Sequence, residues 1–222
     1  MPRTRSRHSG ATGYDDRAHA GQVLAGHLHG LDLVDPVVFG LARGGVPVAA
    51  EVARELGAPL RVCVARKIGA PGQPELALGA VTAHGPPGYD HGLVRSFGLD
   101  LDDLAAACER ERAEAARREH LYHGEPVELA GRDAVLVDDG LATGATARAA
   151  LRMLAEAGPR HLVLAVPVGS PESVRALRGE ADAVVCVLQP VGFAAVGQFY
   201  RDFAATTDEE INALLTELGE QR

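Results

Sequence analysis

Residues 134–146 read AVLVDDGLATGAT, and the interpretation of the whole chain depends on this stretch. Its apolar first part predicts a buried β-strand, which ends in the adjacent acids Asp138 and Asp139. A short loop of Gly, Ala and Thr follows, and an alanine-rich helix begins after it. Backbone N–H groups at a helix N-terminus bind anions, and neighbouring carboxylates bind sugar hydroxyls or a Mg²⁺ shell. The stretch therefore predicts a site for a sugar phosphate.

The same residues resemble the 5-phosphoribosyl-1-pyrophosphate (PRPP) binding motif of type I phosphoribosyltransferases. That motif has an apolar run, two acids, two small or apolar residues, and a phosphate loop of Thr, Ser and Gly. The resemblance implies that Asp138 and Asp139 hold the ribose hydroxyls and meet Mg²⁺ only indirectly, through ribose or water. It also implies that the loop around the 5-phosphate consists of Ala142, Thr143, Gly144, Ala145 and Thr146.

Two other interpretations of the acidic pair are less specific. A strand that ends in acids is typical of a Walker B motif, which requires a P-loop elsewhere in the chain. The nearest candidate, 40–45, continues into Val46-Pro47 instead of Lys followed by Ser or Thr. An ordinary strand-end turn before a capped helix also accommodates two acids. That alternative does not explain the composition of the loop.

A strand–helix–strand unit lies upstream, with strands predicted at 37–41 and 60–67 and a helix at 46–56. The two strands should be parallel, with a right-handed connection. The Ala-Arg-Gly-Gly turn after the first strand offers backbone N–H groups to an anion, and an arginine there binds phosphate bidentately. The resemblance implies a non-proline cis peptide bond in this turn. It also implies that the turn binds pyrophosphate through Arg43, Gly44 and Gly45.

Lys67 is the only lysine of the chain. A lysine kept among arginines indicates a need for a compact ammonium instead of a guanidinium fork, with an accidental surface lysine as the alternative. The Arg66-Lys67 pair is similar to the Arg-Lys that ends the matching strand of adenine and xanthine phosphoribosyltransferases. That similarity implies that Lys67 contacts pyrophosphate or Mg²⁺-bound oxygens and that Arg66 binds PRPP. The catalytic candidates are Asp138, Asp139, Lys67 and Arg43.

The remaining pattern alternates strands and helices. It predicts an α/β fold with an open, mainly parallel twisted sheet and flanking helices, similar to type I phosphoribosyltransferases. We expect one domain over 14–222 after a disordered basic tail over 1–13, with a flap and helix insertion at about 69–123. The Gly- and Pro-rich start of the insertion suits a loop that moves. Within the insertion, the pattern predicts a strand at 76–83, its partner at 92–96 and a charged helix at 99–122.

A small C-terminal hood is expected at about 189–207. Four of the chain's nine Phe and Tyr residues lie within 191–203. Aromatic side chains beside a strand end favour stacking on a planar base, although packing of a C-terminal tail explains each one equally well. The segment resembles the end of hypoxanthine-guanine phosphoribosyltransferases, which implies a pyrophosphate contact for Arg201. The base-binding candidates are Phe193, Phe199 and Tyr200.

Composition limits the partners of the chain. Its net charge of −8 disfavours non-specific nucleic-acid binding. No stretch of the sequence approaches the roughly 18 apolar residues of a membrane span. The three cysteines are widely spaced, which argues against a disulfide framework or a zinc site. These features predict a cytoplasmic protein without nucleic-acid or membrane partners, and the family resemblance implies a homodimer.

The motifs together predict transfer of a phosphoribosyl group from PRPP, with Mg²⁺, to a nitrogenous base or amine, and release of pyrophosphate. They resemble a bacterial group of stand-alone phosphoribosyltransferases. Glu75 and Asp202 are candidates for deprotonating the acceptor. The lysine that reads the purine oxygen in the hypoxanthine-guanine enzymes is missing, so purine salvage is not supported. The main alternative is a PRPP- or nucleotide-binding regulatory protein without turnover. A phosphatase with Asp138 as nucleophile would need Asp-x-Asp-x-Thr spacing.

Overall fold

The structure is a computed structural model that describes residues 13–122 and 127–220. The predicted tail over 1–13 lies outside these residues except for Gly13, and the domain boundaries stay predictions. The strands are β1 (Val37–Leu41), β2 (Leu60–Cys63), β3 (Ala65–Ala70), β4 (Gln73–Thr82), β5 (Gly88–Tyr89), β6 (Asp133–Val137), β7 (His161–Val168) and β8 (Ala183–Leu188). The helices are α1 (Arg17–Leu28), α2 (Gly45–Leu56), α3 (His91–Ser96), α4 (Leu101–Glu119), α5 (Ala145–Glu156), α6 (Pro171–Leu177) and α7 (Asp208–Glu220).

The main sheet has five parallel strands in the order β2-β1-β6-β7-β8. The central strands β1 and β6 are buried along their whole length, as expected for a sheet covered on both faces. Alternate residues point to opposite faces: Val38 and Val135 pack in a core with α1 and α2, whereas Phe39 and Leu136 pack in a core with α5 and α6. The predicted α/β class with an open, mainly parallel sheet is confirmed.

The strand order reverses between β1 and β6. From β1 the chain passes through α2 to β2 at one edge, and it later returns to the other side of β1 as β6. Ligands of open parallel sheets bind outside the carboxyl ends of the strands at such a switch point. The turn 42–45 follows β1 and the acids 138–139 follow β6, so both meet at this crevice.

The single strand predicted over 60–67 is wrong, because the chain changes sheets at Val64. Strand β2 pairs with β1 only as far as the Leu41–Cys63 pair, where β1 ends. Beyond Cys63 the backbone has no neighbour in the main sheet. It continues as β3, which pairs antiparallel with β4 in a separate sheet of three strands. We call this three-stranded sheet the flap sheet. Arg66 and Lys67 therefore belong to it and not to the end of a main-sheet strand.

The predicted flap strand at 76–83 is found within β4, but its predicted partner at 92–96 is wrong. The segment forms α3 because the Asp90 side chain accepts a hydrogen bond from Leu93 N at 2.9 Å, which caps a helix. The strands that pair with β4 are β3 and β5. The charged helix expected at 99–122 is α4, which Asp100 opens with a capping box. In the described part of the chain, no helix combines the length and apolar character of a bilayer-spanning segment.

Candidate functional site

The acidic pair and the Ala-Arg-Gly-Gly turn are in direct contact at the switch point. A Cβ on Gly45 would lie 2.7 Å from Val137 O and 2.9 Å from Asp138 Cα. A Cβ on Gly44 would collide with Asp139 Oδ2. The two glycines thus allow the turn to approach the carboxylates more closely than any other residue type permits. The turn and the acids are far apart in the sequence but lie against each other here, and their binding of a ligand stays a prediction.

We expect Gly45→Ala to lower the free energy of unfolding by about 1–3 kcal/mol, because its Cβ would overlap backbone atoms that cannot move aside. The variant should also weaken binding of PRPP, since the acids must shift. The matched control is Gly26→Ala in α1, where an added Cβ meets no atom within 4 Å. That variant should gain up to about 1 kcal/mol from helix propensity. Urea unfolding of both variants checks the pair, and equal midpoints for Gly45→Ala and wild type would contradict the close approach.

The loop after the acids has the geometry of an anion site. Gly144 precedes α5 with a positive φ of 72°, and within the described residues no side chain caps this helix. The nearest hydroxyl, Thr143 Oγ1, lies 3.5 Å from Ala145 N, at the limit of a hydrogen bond. The hydroxyls of Ser170 and Ser173 donate hydrogen bonds to Ala142 O and so fix the backbone of the loop. The first amides of α5 are therefore available to a phosphate on a fixed backbone.

Lys67 and the phosphate loop border the same cleft. This cleft lies between the flap sheet and α4 and has a volume of about 730 Å³. Arg66 also borders the cleft, but its guanidinium pairs with Glu111 of α4 at 3.0 Å. The Lys67 side chain is exposed in the cleft. Burial raises the pKa of Asp138, and the charge of Lys67 partly opposes that rise. Besides Thr146 of the phosphate loop, the residues that line the cleft include Lys67, Asp103, Arg110 and Glu111.

The two acids are electrostatically unequal. Burial raises the pKa of Asp138 well above its usual range, and the charge of Asp139 raises it further. The amide of Asp139 donates to Asp138 Oδ1 at 2.9 Å, which opposes the rise but does not cancel it. Burial also raises the pKa of Asp139, where the Arg17 guanidinium acts in the opposite direction. Desolvated, mutually repelling carboxylates of this kind are typical of functional sites.

Arg17 is a site residue that the sequence analysis missed. Its Nε and one terminal nitrogen each lie 2.9 Å from Asp139 Oδ2. Its other terminal nitrogen donates to Ala204 O at 2.7 Å, and the guanidinium carbon lies 4.0 Å from the centre of the Phe203 ring. No local motif links a residue of α1 to an acid 122 positions later. The available signal is a cation in the first turn of a helix, where the helix dipole disfavours it.

Arg43 lies at the border of the site. The Ala42–Arg43 peptide bond is cis, as the family resemblance implied. The Arg43 side chain is exposed. Burial raises the pKa of Tyr122, which follows α4, to about 12, and the charge of Arg43 acts in the opposite direction. Its contact with a pyrophosphate stays a prediction.

The hood aromatic residues are packed against the protein and against each other. Phe193 and Phe199 stack with their centroids 5.7 Å apart. Tyr200 is only 7% exposed, and its hydroxyl donates to Asp139 O at 2.7 Å. The Tyr200 ring is thus not open to a base in this structure, because Tyr14 and Phe203 cover it. Its place beneath the acidic pair makes it a support of the site.

The other hood candidates do not join the acidic pair. Arg201 pairs with Asp15 at 2.8 Å and is largely exposed, outside the flap cleft. Asp202 accepts from Ala204 N at 3.0 Å and lines a different depression beside α1. The side chain of Glu75 lies outside the described residues. The identity of a general base stays a prediction.

The oxygen donors of the site fit an indirectly held Mg²⁺. No cluster of three or more His, Cys, Asp or Glu side chains arranged for a metal occurs among residues 13–122 and 127–220. Two adjacent carboxylates supply too few ligands for an octahedral Mg²⁺ on their own. An ion at this position would need further oxygens from a substrate and from water, and its indirect coordination by the acids stays a prediction.

Comparison with known proteins agrees with the site. Residues 17–200 match the family described as the phosphoribosyl transferase domain. The chain is 47% identical over 204 residues to a protein of Mycobacterium tuberculosis (strain H37Rv) provisionally named a phosphoribosyl transferase. The match covers 91% of this chain but only 46% of that protein, which is about twice as long.

A solved structure shows the same architecture. The crystal structure of TT1426 from Thermus thermophilus superimposes with a TM-score of 0.79 and 47% sequence identity. The superposition covers 93% of this chain and 99% of the Thermus chain. The fold described above is therefore that of a structure solved by experiment.

Proposed function

The chain belongs to the phosphoribosyl transferase domain family, and on that premise we propose that it transfers the phosphoribosyl group of PRPP to a nitrogenous acceptor. The contact between the glycine turn and the acidic pair supports this proposal most strongly. One crevice then offers separate places for the three polar parts of PRPP. The 5-phosphate lies at the loop 142–146, the ribose hydroxyls at the acids 138–139, and the pyrophosphate at the turn 43–45 with Lys67.

The proposed chemistry is substitution at C1 of the ribose. The bond from C1 to the pyrophosphate oxygen breaks, the bond from C1 to the acceptor nitrogen forms, and the nitrogen loses a proton to a base. Negative charge develops on the leaving pyrophosphate. The Lys67 ammonium, the Arg43 guanidinium and the amides of the turn would donate hydrogen bonds to that charge, and stabilising a developing charge is the main way such sites lower a barrier. The flap excludes water that would otherwise hydrolyse PRPP.

Mg²⁺ enters this proposal with the substrate. When bound, it would neutralise charge on the pyrophosphate. Asp138 and Asp139 would hold it through ribose or water. These acids would also accept hydrogen bonds from the ribose hydroxyls, and an ionised carboxylate offers both of its oxygens as acceptors.

A panel of bases and amines incubated with Mg²⁺ and PRPP tests the proposal. Pyrophosphate release should appear with one class of acceptor and stay near background with the others. Arg160→Gln serves as a folded control outside the site. Calorimetry with PRPP alone separates the regulatory alternative, because a regulator binds PRPP without releasing pyrophosphate. The absence of both binding and release would contradict the proposal.

A further inference from the structure

Arg17 connects the acidic pair to the hood. Its side chain is 12% exposed and that of Asp139 is 14% exposed, so the ion pair is largely shielded from water. One face of the guanidinium lies on the Phe203 ring, and one edge donates to the Ala204 carbonyl. The opposite edge holds the carboxylate. A single side chain of α1 therefore links the tip of β6 with residues 203–204.

The pair fixes one particular oxygen of Asp139. Two guanidinium nitrogens, both at 2.9 Å, share Oδ2, so this oxygen has little capacity left for a ligand. The contact leaves Oδ1 as the Asp139 oxygen with more capacity to accept from a ligand hydroxyl. The backbone of the same residue is held by the Tyr200 hydroxyl. Asp139 is thus constrained at both its side chain and its carbonyl.

Stability alone explains this arrangement poorly. The attraction within a shielded ion pair offsets little more than the free energy lost when both charges leave water. Apolar residues of similar size often stabilise the fold equally well. A cation in the first turn of α1 also opposes the helix dipole. The pair lies against Gly44, where a Cβ would be 3.2 Å from Arg17 Nε, so it is built into the turn that faces the substrate.

We propose that Arg17 is a positioning residue of the ribose sub-site, which orients Asp139 so that Oδ1 accepts a ribose hydroxyl and couples that acid to the hood. This inference rests on the proposed function. Removal of Arg17 takes away the donors that hold Asp139, so its carboxylate can rotate and the ribose sub-site loses an ordered acceptor. Affinity for the ribose part of the substrate then falls, whereas the chemical step at bound substrate changes little.

The strand β6 supplies a matched control. Arg160 pairs with Asp133, which is fully buried, through two nitrogens at 2.8 and 2.6 Å. This pair lies at the start of β6, about 20 Å from the acids at its end. Arg160→Gln therefore removes an arginine–aspartate pair from the same strand without touching the crevice. Arg17→Gln and Arg17→Lys form the test set, and circular dichroism establishes that each variant is folded.

Binding of ribose 5-phosphate, measured by calorimetry, is the primary readout because this probe lacks the pyrophosphate. We expect Arg17→Gln to weaken binding about tenfold to a hundredfold, the range for one hydrogen bond to a charged group. Arg17→Lys should recover part of the loss, and Arg160→Gln should bind as wild type does. In the Asp139→Asn background, Arg17→Gln should add little, because its target is already altered.

The outcomes separate this inference from the proposed function. If folded Arg17→Gln binds ribose 5-phosphate with the same affinity as the wild type, the proposed role of Arg17 is overturned. The transferase proposal is then unaffected. Equal losses in Arg17→Gln and Arg160→Gln also overturn it, since a purely structural effect would act from both ends of β6. Failure of the wild type to bind either ribose 5-phosphate or PRPP overturns both proposals. A KM for PRPP that rises in Arg17→Gln while kcat is retained supports positioning.

Discussion

Replacing both Asp138 and Asp139 with Asn is expected to lower PRPP-dependent pyrophosphate release by about two to four orders of magnitude. In the proposed complex each carboxylate accepts hydrogen bonds from ribose hydroxyls, and a bond to a charged group contributes about 1.5–3 kcal/mol. The amides that replace them also lose the negative charge that faces the Mg²⁺ shell. Steady-state assays at several PRPP concentrations measure the loss. Turnover within a factor of about three of wild type would contradict the assignment of the acids.

Asp138→Asn alone should raise the thermal stability of the free protein at neutral pH. Burial raises the folded-state pKa of Asp138, so folding takes up a proton between the unfolded and the folded pKa. The carboxylate therefore destabilises the fold increasingly as pH rises above about 4, and the neutral amide removes this cost. Each kcal/mol gained raises Tm by about 2–4 °C for a chain of this size. The gain should vanish at pH values below about 4.

The combination of lost turnover and gained stability distinguishes a functional role from misfolding. Asp35→Asn is the control for charge removal, because Asp35 has an exposed side chain and a positive φ that Asn also tolerates. It should change neither property. A variant at Asp138 that lost both turnover and stability would show that the acid supports the fold and not the ligand.

Lys67→Gln is expected to reduce kcat/KM for PRPP by about two to three orders of magnitude, the cost of removing one fixed donor from a developing charge. Lys67 shares the flap cleft with Thr146 of the phosphate loop, and its charge partly opposes the rise that burial causes in the pKa of Asp138. In the proposed complex its ammonium contacts the pyrophosphate. Lys67→Arg should recover part of the activity because it keeps the charge. Pyrophosphate release at saturating and limiting PRPP measures the effect.

The control for Lys67 is Arg95→Gln, which removes an exposed cation of α3 from the same insertion. This variant should behave as wild type, which separates a local contact from the net charge of the flap. If Lys67→Gln keeps more than half of the wild-type kcat/KM, Lys67 is a surface residue without a role in the reaction.

The sequence predicts the main sheet well because each strand and the turn after it can be recognised within a short stretch of residues. Continuous apolar runs identify β1 and β6, and turn chemistry identifies where each of them ends. The position of the crevice also follows, because acids and glycines directly after parallel strands meet at one edge. These inferences need only short windows and the general rules of α/β sheets.

The errors arise where the decisive interaction is distant. The residue pattern of 60–67 is continuous, and only the end of β1 at Leu41 makes the chain leave the sheet at Val64. The segment 92–96 is a helix because Asp90 caps it, a signal that the apolar pattern concealed. Arg17 joins Asp139 across the whole fold, so no sequence window contains both.

A crystal structure of the chain with Mg²⁺ and PRPP tests the central claim most directly. We expect the 5-phosphate to bind the amides of 144–146 and the ribose hydroxyls to lie within hydrogen-bond distance of Asp138 and Asp139. The pyrophosphate should lie between the turn 43–45 and Lys67. A substrate bound elsewhere, with the acids and the glycine turn in contact only with solvent, would contradict it.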